Sequence, residues 1–176
     1  MVNLILYITT SIRQGLIFSL GLVPALFLER PWTIVTSMFV HAPFPGIWHI
    51  LANMMTLYFF GSYLTRLVGE RNFLIVYFFG GILGSILYIL LAPPFSVAIG
   101  ASGAVFAVGG ALTVMRPKLK VFIIPIPVPL PLWVAVMGGF LIISFFPFVA
   151  WQAHLGGLVF GLAFGYFLRR RERRFF

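Results

Sequence analysis

The sequence predicts an all-α polytopic membrane protein of six transmembrane helices, and three observations carry the prediction. Apolar residues make up 61% of the chain and charged residues 9%, against the roughly 25% charged of a soluble domain. Residues 72–115 and 121–168 contain no Asp, Glu, Lys or Arg, and each stretch is long enough for two helices of about 20 residues across a ~30 Å hydrocarbon core. The basic residues collect between the apolar blocks instead of interrupting them.

Orientation follows from those basic residues. With the N-terminus cytoplasmic, Arg66, Arg71, Arg116, Lys118, Lys120, Arg169, Arg170, Arg171, Arg173 and Arg174 share the cytoplasmic side, and Arg30 beside Glu29 is left in an outer loop. Such enrichment is the usual determinant of topology, so an N-in, C-in arrangement is expected. The net charge of +9 does not point to nucleic acid, because the cations do not line one face of a soluble domain. With no cysteine, disulfides, thiolate metal sites and a cysteine nucleophile are excluded. No charged segment precedes the apolar start, so no cleavable signal peptide is expected.

Taken in order, the first span is expected over residues 2–20, interrupted by Arg13. An outer segment, 21–47, holds Pro24, Pro31, Pro43 and Pro45, too many for one helix. Its Trp32, Phe39 and Phe44, with Trp48 at its edge, suit the membrane interface. Further spans are expected over 48–65 and 73–91, the latter stopped by Pro93 and Pro94. Only about a dozen apolar residues separate Ser102 from the basic cluster at Arg116, so the fourth helix, 102–115, covers roughly 20 Å at 1.5 Å per residue. It must start inside the membrane, about 10 Å below the outer surface. The irregular backbone before it is tolerated at that depth only in protein or beside water, which implies a wet recess with Ser102 at its floor. Prolines at 125, 127, 129 and 131 make 121–131 an extended connection, followed by spans over 132–146 and 151–168. No repeat of the kind common in transporters is visible.

Groups capable of acid or base work are few: His41, His49, His154 and three Glu, with no Asp. Ionisable residues in membrane helices are costly and default to functional roles, and the topology sets His49, Ser102 and His154 at similar depth toward the outer side. Ser102 lies between Gly100 and Gly103 at a loop-to-helix junction, where backbone N–H groups point at a ligand. A serine hydroxyl needs a base, and His154 is the candidate. A small-residue stripe of Gly103, Ala107 and Ala111 below Ser102 matches one of Gly157, Gly161 and Gly165 below His154, which permits close helix packing. The acids Glu29, Glu70 and Glu172 all fall away from this site, so a dyad is expected, with His154 oriented by Phe106. His49 and Asn53, at i and i+4, share a helix face and suit an oxyanion hole together with the Ser102 N–H.

Blander readings stand beside these. Gly-Ala-Ser-Gly also suits plain close packing, His49 with Asn53 a polar clasp between helices, and a helix histidine a satisfied buried group. His41 reads as an interfacial loop residue.

At these residues the chain resembles the rhomboid family. The matches are Trp48-His49-Ile-Leu-Ala-Asn53, Gly100-Ala-Ser102-Gly103 and Ala153-His154-Leu-Gly-Gly157 with Gly161, in the family's order and spacing. The resemblance implies a six-helix rhomboid-like bundle over 1–176 and an intramembrane serine endopeptidase working without cofactor or metal. It implies Ser102 as nucleophile, His154 as base, and His49 and Asn53 as oxyanion donors, with Gly100, Gly103, Phe106, Gly157 and Gly161 in support. Its partners would be the lipid bilayer and single-span or polytopic membrane-protein substrates, cut near the outer face at small residues. A prokaryotic cell membrane is the expected location. The chain departs from the family at Thr65, where Glu often stands, and at Phe106, where some members have Tyr. The alternatives are a non-catalytic rhomboid-like binding protein, a channel or transporter, or a zinc site of His41, His49 and His154. The helix over 132–146, bounded by prolines and lacking catalytic groups, is the expected gate.

Overall fold

A computed structural model describes residues 1–43, 45–122 and 128–172 of the chain. The chain opens with helices α1 (Val2–Ile12) and α2 (Leu16–Leu20), so the single helix expected over 2–20 is corrected to two. The break falls at Arg13, whose φ of −119° and ψ of 78° leave helical space, and Gly15 follows two residues on. At 1.5 Å per residue α1 is about 16 Å long, roughly half a hydrocarbon core.

The outer segment folds as short turns: Pro24–Leu26, helix α3 (Thr33–Thr36) and Ser37–Phe39. Its polar side chains are spent on the last carbonyls of α2, which have no helical partners. Arg30 Nη1 donates to Phe18 O at 2.7 Å, Trp32 Nε1 to Ser19 O at 2.9 Å, and Thr36 Oγ1 to Leu20 O at 2.7 Å. Leu22 then pairs with Ala98 by two backbone hydrogen bonds of 2.9 and 3.0 Å, tying the segment to the loop before Ser102.

Helix α4 (Ile47–Thr56) passes through a π-helical turn (Leu57–Gly61) into α5 (Ser62–Leu91). Among the described residues, Ile47–Leu91 is the one helix both long and apolar enough to cross a bilayer. It is bent at Gly69, where φ is 80°, a value that favours glycine. The chain doubles back there, bringing Gly61 of one arm to the ring of Phe73 of the other. Each arm is roughly 33 Å long.

Helix α6 (Ser102–Met115) lies at the centre, with Gly103, Ala104, Ala107, Val108, Gly109, Gly110, Ala111 and Leu112 buried. A two-stranded ladder, β1 (Lys120–Val121) with β2 (Leu130–Pro131), closes the following connection; the prolines expected to extend it at 125 and 127 lie outside the described residues. Helix α7 (Leu132–Ser144) touches α6 at Val136 against Gly109 and at Phe140 against Phe106. Helix α8 (Trp151–Glu172) runs past 168, the expected end, through Arg169, Arg170 and Arg171. Arginine is a good helix former, and cations are favoured at a helix C-terminus.

Glycines set the distance of α8 from its neighbours. A Cβ on Gly157 would lie inside the Gly103 carbonyl, one on Gly161 inside that of Ala107, and one on Gly165 2.6 Å from Ala111 Cα. The two small-residue stripes thus meet in register, backbone on backbone. On the other side, Gly84 of α5 abuts Ala153 O and Gly156 of α8 abuts Leu83 O, each at 2.6 Å from a built Cβ. Large apolar side chains face outward, among them Phe79, Leu90, Trp133, Leu141 and Phe167, as a lipid-facing surface requires.

Candidate active site

Ser102 is the first residue of α6, and His154 stands in the first turn of α8. The close packing below them brings Ser102 Oγ to 2.7 Å from His154 Nε2, although 52 positions separate them in sequence. The His154 ring lies against Phe106, centroids 4.8 Å apart at 34°, and Phe106 in turn meets Phe140 of α7 edge-on. His154 is 5% exposed, and its Nδ1 makes no hydrogen bond among the described residues, so no carboxylate orients the ring there. The serine hydroxyl can donate to Nε2 only if the ring proton sits on Nδ1.

The loop before Ser102 is shaped for the neighbouring histidines. Gly100 has φ +122°, and a Cβ there would come 2.7 Å from His49 Nε2; glycine is required for the backbone and for the space. Gly100 N donates to Ser37 O at 2.9 Å, pinning the loop to the outer segment. His49 Nδ1 accepts from Ala42 N at 3.3 Å, which leaves the proton on Nε2, the nitrogen facing Gly100. Asn53 is buried, and its Nδ2 donates to His49 O at 2.8 Å. One amide N–H is thereby used within its own helix. The structure therefore gathers His49, Gly100, Ser102, Phe106 and His154 into one locus, with Asn53 one turn behind His49.

His41 is corrected from an interfacial loop residue to a fully buried one. Its ring stands edge-on to His49 with centroids 5.2 Å apart, and Ala101 N donates to its Nε2 over 3.5 Å. Burial, and next the His49 ring, pull its pKa down to about 4, so it is neutral at neutral pH. The sequence named His41 without placing it beside His49, because no local spacing ties a residue of the proline-broken outer segment to the next helix. The zinc alternative loses its ligand set, because among the described residues no three His, Cys, Asp or Glu side chains converge.

A cavity of about 20 Å³ lies between Ser37, Ser85, Gly100 and Ser102, room for one water. The outer segment, strapped to the loop by the Leu22–Ala98 pairing, supplies Leu22, Ser37 and Met38 to its wall.

The chain is similar to several proteins named as rhomboid proteins. Rhomboid protein 1 of Saccharomyces cerevisiae mitochondria is 31% identical over 167 residues, covering 81% of this chain and 44% of that protein. A putative rhomboid protease of Bacillus subtilis, YdcA, is 37% identical over 84 residues, covering 48% and 41%. An Arabidopsis thaliana protein named inactive RHOMBOID-like protein 8 is 28% identical over 130 residues, covering 73% and 35%. The chain thus spans less than half the length of these relatives. The yeast relative is named as mitochondrial, so it lends no support to the expected prokaryotic cell membrane. A model of the rhomboid domain matches residues 28–171, and the chain belongs to the rhomboid family, whose members are integral to membranes.

Proposed function

We propose that the chain is an intramembrane serine endopeptidase in which Ser102 and His154 act as a dyad. The observation that carries the reading is the 2.7 Å contact of Ser102 Oγ with His154 Nε2, made by two helices that meet backbone to backbone. In this reaction His154 Nε2 takes the hydroxyl proton as Ser102 Oγ bonds to the scissile carbonyl carbon. The oxyanion is held by the Ser102 N–H, by His49 Nε2–H and by the remaining N–H of Asn53. As the first residue of α6, Ser102 presents an N–H with no intrahelical partner, at the positive end of the helix. His154 then protonates the leaving amine as the C–N bond breaks, and water attacks the acyl-enzyme by the same route in reverse.

The expected setting is six crossings with both termini cytoplasmic and Ser102 toward the outer side. Substrates are transmembrane segments of single-span or polytopic proteins, cut near that side at small residues. Helix α7 is the gate, a reading supported by its thin contact with α6 at Val136 and Phe140. Cross-linking it to α4 without loss of cleavage would sink the idea.

A relative named inactive supports a second reading, a non-catalytic factor that binds membrane proteins. Both are tested by reconstituting the chain with a single-span reporter that carries a helix-destabilised, small-residue site. Cleavage in wild type and none in Ser102→Ala or His154→Ala supports the dyad. Persistence in Ser102→Ala refutes it, as a channel or transporter would also predict for its own activity. A folded wild type that captures the reporter uncut moves the assignment to the binding factor.

A further inference from the structure

The two residues before Ser102 direct their backbone N–H groups to the outer segment. Gly100 N donates to Ser37 O at 2.9 Å, and Ala101 N donates to His41 Nε2 over 3.5 Å. Ser102, the next residue, opens α6, and an N–H at that position has no carbonyl of its own helix to meet. The peptide that follows His41 serves the other half of the site. Ala42 N donates to His49 Nδ1 at 3.3 Å, which leaves the His49 proton on Nε2, the nitrogen beside Gly100. Between these bonds lies the His41 ring, fully buried and edge-on to His49 with centroids 5.2 Å apart.

A phenylalanine would fill the same space without bringing a ring nitrogen out of water, a transfer that is costly unless the nitrogen is hydrogen-bonded. What histidine adds there is an acceptor. With Nε2 accepting from Ala101, the neutral ring carries its proton on Nδ1. Without that acceptor the Ala101 peptide is free to turn, and the direction of the adjoining Ser102 N–H turns with it. We propose that His41 is a positioning residue for the oxyanion hole, its Nε2 holding the Ala101 peptide so that Ser102 N–H and His49 Nε2–H converge on one point. It acts through Ala101 and takes no proton in the reaction. The inference rests on the proteolytic reading above and adds to it a residue outside the dyad and the three donors.

The test uses the full chain reconstituted with the single-span reporter, with kcat and KM measured per folded molecule. His41→Phe keeps a ring and removes the acceptor, while His41→Gln supplies an amide oxygen in place of Nε2. Oxyanion donors act in the transition state, so the loss belongs to kcat. His41→Phe should lower kcat at least about tenfold, short of the 10²–10³ of a donor lost outright, with KM within about twofold, and His41→Gln should restore kcat to within about threefold of wild type. Wild-type kcat in His41→Phe, an equal fall in both variants, or a loss carried by KM would overturn the proposal. A second measurement needs neither variant nor cleavage. Nitrogen NMR of the histidine rings in the wild type should find the His41 proton on Nδ1 and the His49 proton on Nε2. The opposite tautomer at His41 overturns the proposal even should His41→Phe fail to fold. A wild type that shows the expected tautomers and cuts no reporter counts against proteolysis and supports the hold of His41 on Ala101.

Discussion

Gly157→Ala is the sharpest perturbation of the contact beneath Ser102 and His154. A Cβ on Gly157 would fall inside the Gly103 carbonyl, and because the obstacle is backbone no side chain can rotate aside. Restoring an ordinary separation of roughly 3.5 Å requires α8 to retreat by more than about 1 Å. His154 lies one turn before Gly157 on the same face, and Ser102 adjoins Gly103. The same retreat therefore stretches the 2.7 Å contact past the range of a hydrogen bond. A misplacement of that size costs on the order of 10² in rate, and overpacking a close contact costs about 1–3 kcal/mol. Gly138→Ala on α7 is the counterpart: a Cβ there meets nothing within 4 Å, and helix propensity favours alanine by about 0.5–1 kcal/mol. Reporter cleavage per folded molecule and thermal unfolding, measured on the same preparations, read both effects. The expected result is a strong loss of both in Gly157→Ala and wild-type cleavage with equal or higher stability in Gly138→Ala. Wild-type cleavage and melting in Gly157→Ala would refute the close-packing argument outright.

Gly100→Ala combines a residue at φ +122° with a Cβ 2.7 Å from His49 Nε2; displacing one oxyanion donor should lower the rate by about 10²–10³ while the chain still folds. Phe106→Ala removes a ring pair of about 0.5–1.5 kcal/mol, so cleavage should fall roughly tenfold, and Phe106→Tyr should retain it; equal loss in both would deny the stacking role. For His41 the folded pKa of about 4 lies below the ordinary 6.5, so the unfolded chain binds more protons between those values. Stability should therefore fall as pH drops from about 6.5 to 4, by up to about 3 kcal/mol from this residue. Comparing pH–stability curves of wild type and His41→Gln isolates the difference, and parallel curves would contradict it.

Local chemistry made much of the site legible. Pro93 and Pro94, the glycines around Ser102 and the basic cluster from Arg116 bracket a helix that the structure runs from Ser102 to Met115. The Gly and Ala stripes at four-residue spacing foretold which faces of α6 and α8 meet, because only small residues permit that approach. The scarcity of ionisable groups singled out His49 and His154.

Composition and spacing alone determined the helical class, the apolar blocks and the residues with chemistry to offer, since each follows from the cost of placing charge or bare backbone in lipid. Tertiary structure decided what depends on contacts distant in the chain. Beyond the break at Arg13, the last carbonyls of α2 find their partners only in the remote side chains of Arg30, Trp32 and Thr36. The burial of His41 arises because the outer segment is strapped to the loop before Ser102 at Leu22 and Ser37, with prolines between His41 and His49 that erase any periodic signal. The cavity beside Ser102 has the same origin, with Leu22, Ser37 and Met38 of the outer segment in its wall: no residue's own preference encodes how a remote segment folds over it.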